Sequence, residues 1–399
     1  MLSSSTEAGK DGATRSVVGT AKRVLYSGAR LLAVWLVVFA VLGLSIEGVA
    51  RLIFPYVPPS VWDYRGSRPP AYKNSPFFSQ DFIEESRSHQ NWINPKGTRI
   101  IYPGDYSGRW FNVSEGIRRT VGSPETAERG ILLIGSSTIY NAEVPDDFTI
   151  ASRLQAILKD HGIAKIQVLN FGASGVNVAQ QLERLKTLMI APRDIVLFYD
   201  GTGDAMQGVF YANFDGWIVG ENRKQLDNFI ARNRPGIERL ARYSRFFNWL
   251  YAKSTNYLPE HLKHPDQIKS LAAESKEKLL KGLLETNAYV HSKGASFIHI
   301  LQPDLFTRPL RNVELPLVQN HFLTMEGTEP ALRAAHDEFK SLTGSLTSAG
   351  VVAFDATNLL NDVTEPIYLD FAHTNELANQ RIAEFLFDAL SRSGTLAGN

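Results

Sequence analysis

The chain has 399 residues, 44% of them hydrophobic and 21% charged, with a formal net charge of +1. Such a composition calls for a packed core, and the near-neutral balance gives no reason to expect nucleic acid as a partner. There are no cysteines, which excludes disulfides, thiolate metal sites and a cysteine nucleophile.

Residues 1–30 open the chain with Ser, Gly and Thr and carry Lys10, Arg15, Lys22, Arg23 and Arg30. They read as a disordered tail. Leu31 to Ile46 follows without a charge. This run is slightly short of the ~20 residues that cross a bilayer. Glu47 and Arg51 are spaced to pair across one helical turn, so the helix is predicted to continue to Phe54, giving an anchor over 31–54. The run is apolar on all faces, unlike a helix lying on a soluble domain. A cleaved signal peptide would have a shorter apolar region and a clearer small-residue site than the one after Ala50. Positive charge is concentrated ahead of the run, with only Arg51 and Arg65 just beyond it. The positive-inside rule therefore puts the N-terminus in the cytoplasm and the bulk of the chain outside.

Pro55, Pro58, Pro59, Pro69 and Pro70 mark a stiff connector, and 55–109 reads as linker and lead-in. Regularity begins at Gly130. Five apolar runs, Ile131–Ile134, Ile166–Leu169, Ile195–Tyr199, Phe297–Leu301 and Val351–Phe354, predict buried strands. Helical faces alternate with them: Ile150, Leu154, Ile157 and Leu158, then Val178, Leu182, Leu185 and Met189. The pattern predicts an α/β fold, three layers with a central, mostly parallel five-stranded sheet, within a domain over 110–395. The alternation breaks between about 206 and 266. There Phe210, Tyr211, Phe214, Trp217, Tyr243, Phe246, Phe247, Trp249 and Tyr251 cluster in an insertion too long for a plain loop. Helical packing against the domain is expected; the alternative is a cap, or a surface for sugar rings or lipid.

In parallel sheets ligands bind at the carboxyl ends of the strands, and Gly135, Gly172 and Gly201 all fall just past such ends. Ser137 follows the first run in GSST, where a sharp turn would lift its hydroxyl from the sheet; Ser136 competes, and Thr138 less so. Gly175, before a helix, could aim its N–H into the same cleft. Asn170 and Asn177 could cap or tie down that loop. Asp200 and Asp204 end the third run, where either could serve as a cap. Near the C-terminus Asp370 and His373 stand three apart, within reach of one another on one turn. A serine hydroxyl needs such a histidine to take its proton and such a carboxylate to orient the ring. His299 and His336 look like packing or surface residues. His261 and His264 lack a carboxylate cluster, so no metal is expected.

Taken in order, GSST, NFGASG, ILQPDL and YLDFAHTNELANQRIAEFL resemble the SGNH (GDSL-type) hydrolase family. Over about residues 110–390 they are similar to its bacterial membrane-anchored members, which are linked to acyl groups on cell-surface polysaccharides. The resemblance implies a flavodoxin-like three-layer fold, Ser137, His373 and Asp370 as the triad, and Ser137 and Gly175 as oxyanion donors. It implies no cofactor. One departure stands out. The third family block carries an Asn that donates to the oxyanion, and here Gly203 occupies that position in Gly201-Thr202-Gly203-Asp204. Loss of one such donor costs on the order of 10²–10³ in rate. Thr202 or Asn177 could substitute, and Thr138, Thr202, Asn177 and Asp204 are the expected substrate contacts. A smaller departure is Ala378, where the family commonly has Gly.

The expected function is an extracytoplasmic serine esterase or acyl (acetyl) transferase. It would be held at the bacterial inner membrane, with its domain in the periplasm, and act on an acylated glycan or lipid, with envelope-biosynthesis proteins as partners. The rival is a binding or scaffold protein of an envelope polysaccharide pathway that uses the same cleft without chemistry.

Overall fold

The computed structural model describes residues 8–212, 237–255, 258–320 and 323–396. Two compact units are present: 1–57 with 235–253, and 58–234 with 254–399.

In the larger unit, β1 (Trp92–Ile93) and β2 (Tyr102–Pro103) form a small antiparallel pair. Three short strands follow, β3 (Tyr106–Ser107), β4 (Asn112–Ser114) and β5 (Ile117–Arg118). The five apolar runs form β6 (Arg129–Gly135), β7 (Ile166–Asn170), β8 (Ile195–Asp200), β9 (Ser296–Leu301) and β10 (Val352–Asp355). One sheet takes the order β10-β9-β8-β6-β7-β5-β4-β3. Its first five members are mutually parallel, and β5, β4 and β3 continue antiparallel from the β7 edge. The sheet therefore has eight strands rather than the expected five. The three added strands are two or three residues long, too short to show a period of two in sequence.

Helices cover both faces. Ile131 and Leu133 point to one side, with Ile150, Leu154 and Leu158 of helix Ile150–Asp160 and Ile382, Leu386 and Leu390 of helix Glu376–Arg392. Leu132 and Ile134 point to the other, with Val178, Leu182 and Leu185 of helix Val178–Leu185 and with the long helix Pro265–Ser292. Burial on both faces is why the strands read as unbroken apolar runs. Met189 does not share the face assigned to it: the helix stops at Leu185, and Met189 is 93% exposed.

Residues 58–109, within the stretch expected to be linker and lead-in, belong to this unit. Helices Val61–Gly66 and Gln80–Ser88 are capped by Ser60 and Ser79, and Tyr72, Phe82 and Phe111 pack with Leu369, next to Asp370. Of the aromatic insertion, Phe214 and Trp217 lie outside the described residues.

In the smaller unit one helix runs from Ala8 to Ile53. The tail expected to be disordered is helical from Ala8, since a stable apolar helix beyond it supplies the costly nucleus and further turns add cheaply. Within it Gly28–Ile53, 26 residues, is long and apolar enough to cross a membrane. Arg51 pairs with Glu47 at 2.7 Å, as the spacing predicts. Glu47 also accepts from Ser244 Oγ (2.6 Å) and the N–H groups of Arg245 (2.9 Å) and Phe246 (3.3 Å) at the start of helix Arg245–Thr255. Phe54 stacks on Trp249 at 4.9 Å.

Candidate active site

Ser137 begins a single-turn helix, Ser137–Tyr140, directly past the end of β6. Asn170 at the end of β7 ties this turn down, donating to the Ile139 carbonyl and accepting from Gly172 N–H. Buried Arg118 does the same from below, reaching the carbonyls of Tyr140, Asn141 and Val144 and pairing with Asp146.

The segment Asp370 to His373 is a tight turn. Asp370 Oδ1 accepts the N–H groups of Ala372 (2.9 Å) and His373 (2.8 Å), and His373 returns its carbonyl to Leu369 N–H (2.8 Å). An Asp that bonds the backbone two and three residues on fixes its own turn. The imidazole of His373 then lies against the same carboxylate, Nδ1 at 2.9 and 2.8 Å from its two oxygens. Its other nitrogen, Nε2, is 2.8 Å from Ser137 Oγ. Ser137 and His373, 236 positions apart, thus meet with Asp370 in one hydrogen-bonded line.

The charges suit the arrangement. Burial works against ionised Asp370, but the histidine charge, its hydrogen bonds and Arg65 outweigh it and hold the carboxyl at about 2. Burial also disfavours protonated His373, and the charges of Asp370 and Glu143 overcome it, leaving the imidazole above its ordinary value. Arg65 and Glu143 were not foreseen. Arg65 Nη2 is 3.3 Å from Asp370 Oδ2 and 2.7 Å from Glu143 Oε1, and both residues are buried. No periodicity marks a lone arginine in the lead-in. Glu143 left one signal, a carboxylate six residues past Ser137.

A cleft of about 230 Å³ opens at Ser137. Gly175 and Gly203 line it, as do Thr138, Thr202 and the apolar Met206, Tyr211, Met325 and Phe371. Gly175 has φ +63°, which an L side chain rarely adopts. Gly203 is fixed by space: a Cβ there would lie 2.5 Å from the Val176 carbonyl oxygen. At Gly203 the wall of the cleft is therefore backbone.

Neither expected side-chain substitute for the missing Asn is free. Thr202 Oγ1 donates to Asp304 and accepts from Gln302. Asn177 caps helix Val178–Leu185 through Gln180 N–H, and its amide donates to Gln207. Asp204, expected at the substrate, is buried behind the cleft and accepts Val178 N–H at 3.0 Å; burial and the neighbouring Asp200 push its carboxyl well up. Asn177 and Asp204 thus secure the helix start, because its first N–H groups must find acceptors. Thr138 does face the cleft, with its hydroxyl 3.2 Å from Gln302 Oε1 and from Ser136 Oγ. Ser136, the rival nucleophile, is spent on that contact, and His373 meets Ser137 instead. His261 bonds the Val209 carbonyl in the core.

No protein-family model and no curated protein matches the chain. Among solved structures it is similar to a protein assigned to the G-D-S-L lipolytic family from Desulfitobacterium hafniense. That match has 10% identity and TM-score 0.37, and covers 66% of this chain and 100% of the other. It is also similar to Est24, a carbohydrate acetylesterase from Sinorhizobium meliloti, at 13% identity and TM-score 0.35, over 67% and 100%. A third is the psychrotrophic esterase EstA from Pseudoalteromonas sp., at 12% identity and TM-score 0.35, over 67% and 98%. The functional reading stands on the site itself.

Proposed function

We propose that the chain is a serine esterase or acyl transferase of SGNH type. The observation that carries this is the unbroken contact from Ser137 Oγ through His373 to Asp370. Ser137 attacks an ester carbonyl while His373 Nε2 takes the hydroxyl proton. Asp370 holds the Nδ1–H and the charged ring. The N–H groups of Ser137 and Gly175, with the backbone of Gly203, face the oxygen that becomes negative. When the tetrahedral adduct collapses, the ester C–O bond breaks and His373 gives its proton to the departing alcohol. A water or a second hydroxyl then loses a proton to His373 and attacks the acyl-enzyme. Collapse of the second adduct releases acid or a new ester, and the proton returns to Ser137 Oγ. The apolar wall of Met206, Tyr211, Met325 and Phe371 suits the acyl side.

The apolar helix Gly28–Ile53 supports a membrane-held enzyme, and the charge asymmetry around it supports a domain outside the cytoplasmic membrane. An acylated envelope glycan or lipid is the substrate class that fits that place. The rival, a non-catalytic binding protein, is favoured by Gly203 alone. A serine-directed fluorophosphonate decides between them. Labelling at Ser137 that disappears in Ser137→Ala and His373→Ala supports the enzyme, and a native chain that stays unlabelled sinks it. Acetate release and acyl transfer, measured separately over a panel of donors, then separate esterase from transferase.

A further inference from the structure

Two charged groups beside His373 have no part in the proton transfers above. Arg65 sits on helix Val61–Gly66, and Glu143 follows the nucleophile helix; they are 3% and 2% exposed. Arg65 Nη2 spans Glu143 Oε1 (2.7 Å) and Asp370 Oδ2 (3.3 Å). The same Glu143 oxygen is 4.0 Å from His373 Nε2, the nitrogen that serves Ser137. Among the described residues, Arg65 is the one side chain other than His373 that bonds Asp370.

Charge counting gives the cluster a purpose. With neutral imidazole, Asp370, Glu143 and Arg65 sum to one uncompensated negative charge in a buried setting. When His373 takes the serine proton, the four groups balance. A fixed charge that is matched only once the reaction has begun favours the transition state over the ground state. The phenols of Tyr64 and Tyr72 lie close by, but burial pushes Tyr64 to about 12 and Tyr72 well up, so both stay neutral at working pH.

The lead-in is tied to both catalytic loops. Tyr72 OH donates to the Glu143 carbonyl (2.6 Å), Asn375 Nδ2 donates to the Ala71 carbonyl (2.8 Å), and Ser75 Oγ donates to Glu376 (2.6 Å).

We propose that Arg65 and Glu143 are positioning residues for the reaction: Arg65 holds Asp370 Oδ2 against the ring and sets Glu143 to face the nitrogen that becomes N–H. The segment directly after the membrane helix is thereby part of the catalytic apparatus. This rests on the serine-enzyme reading, and the test keeps the two apart.

The full chain in detergent micelles is titrated with a fluorophosphonate, and the Ser137 labelling rate is followed against pH together with the unfolding midpoint. Arg65→Met should slow labelling about 10²-fold, the scale of a misplaced catalytic group. Arg65→Lys should recover part of that loss. Glu143→Gln keeps the shape and removes one negative charge facing the ring. Its acid limb should move to lower pH, with a labelling loss of about tenfold, less than that of a direct oxyanion donor. The double variant R65M/E143Q should be less impaired than Arg65→Met alone, because it leaves no unpaired buried Glu143. An acid limb unmoved by Glu143→Gln overturns the inference. So does equal loss in Arg65→Lys and Arg65→Met that only tracks the unfolding midpoint. A native chain that labels, with variants indistinguishable from it, overturns this inference alone; a native chain that does not label overturns the serine enzyme as well.

Discussion

Among the described residues three Asp–His pairs lie near the strand ends, Asp200–His299 buried in the sheet and two others that differ in what meets the far side of the ring. In Asp370–His373 the aspartate holds Nδ1, and Nε2 reaches a hydroxyl at the mouth of a cleft. In Asp304–His336 the aspartate holds Nε2 at 2.6 Å, and Nδ1 has no hydrogen-bond partner. Asp304 also accepts from Thr202 and from Phe306 N–H. The second pair therefore braces the wall behind the cleft. An imidazole on a carboxylate is a common way to satisfy two buried polar groups. It becomes catalytic only when its other nitrogen is aimed at a nucleophile. Exposure follows the same division: the His373 side chain keeps 18% and that of His336 keeps 7%.

Substituting the two aspartates alike would break this contrast or sharpen it. Asp370→Asn should lower kcat on the order of 10⁴-fold by favouring the wrong tautomer. Asp304→Asn should leave the labelling rate of the same order as the native chain and lower stability by about 1–3 kcal/mol, measured by denaturant unfolding. Equal losses of activity would erase the distinction. The pH profile comes next in size. His373 must be neutral to take the serine proton, and its pKa is raised, so kcat/KM should fall as pH drops through a value above the ordinary 6.5. Asp370, at about 2, stays ionised throughout that limb.

Gly203→Asn should give no gain in turnover, because its Cβ meets the Val176 carbonyl. A loss of about 1–3 kcal/mol from the forced shift is expected instead, and a rise in kcat would show that the loop can yield. The smallest effect should come from Asn177→Ala. It removes a helix cap worth about 0.5–2 kcal/mol and should leave KM for a small ester unchanged.

Much of this architecture was legible in the chain because it is local. The five parallel strands are buried on both faces, so each announces itself as an apolar run. Asp370 and His373 are three apart, and Ser137 follows a strand directly, so all three could be singled out without coordinates. The remainder was hidden by distance. Arg65 lies 305 residues from the carboxylate it meets, and nothing around it repeats. The short edge strands carry too few residues to alternate. Asn177 and Asp204 left two readings open, cap or substrate contact, and the structure shows the first: the unsatisfied amides of the next helix take both side chains. Gly203 was visible as a departure, but only the neighbouring carbonyl explains why a side chain has no room there.

Glu47 carries a consequence for biogenesis. Three donors that receive it arrive with residues 244–246, nearly two hundred positions later in synthesis. Until they emerge, an acid next to an apolar segment has, among the described residues, Arg51 for company. The last turns before Ile53 should therefore settle late, when the ribosome has already delivered more than half of the polypeptide.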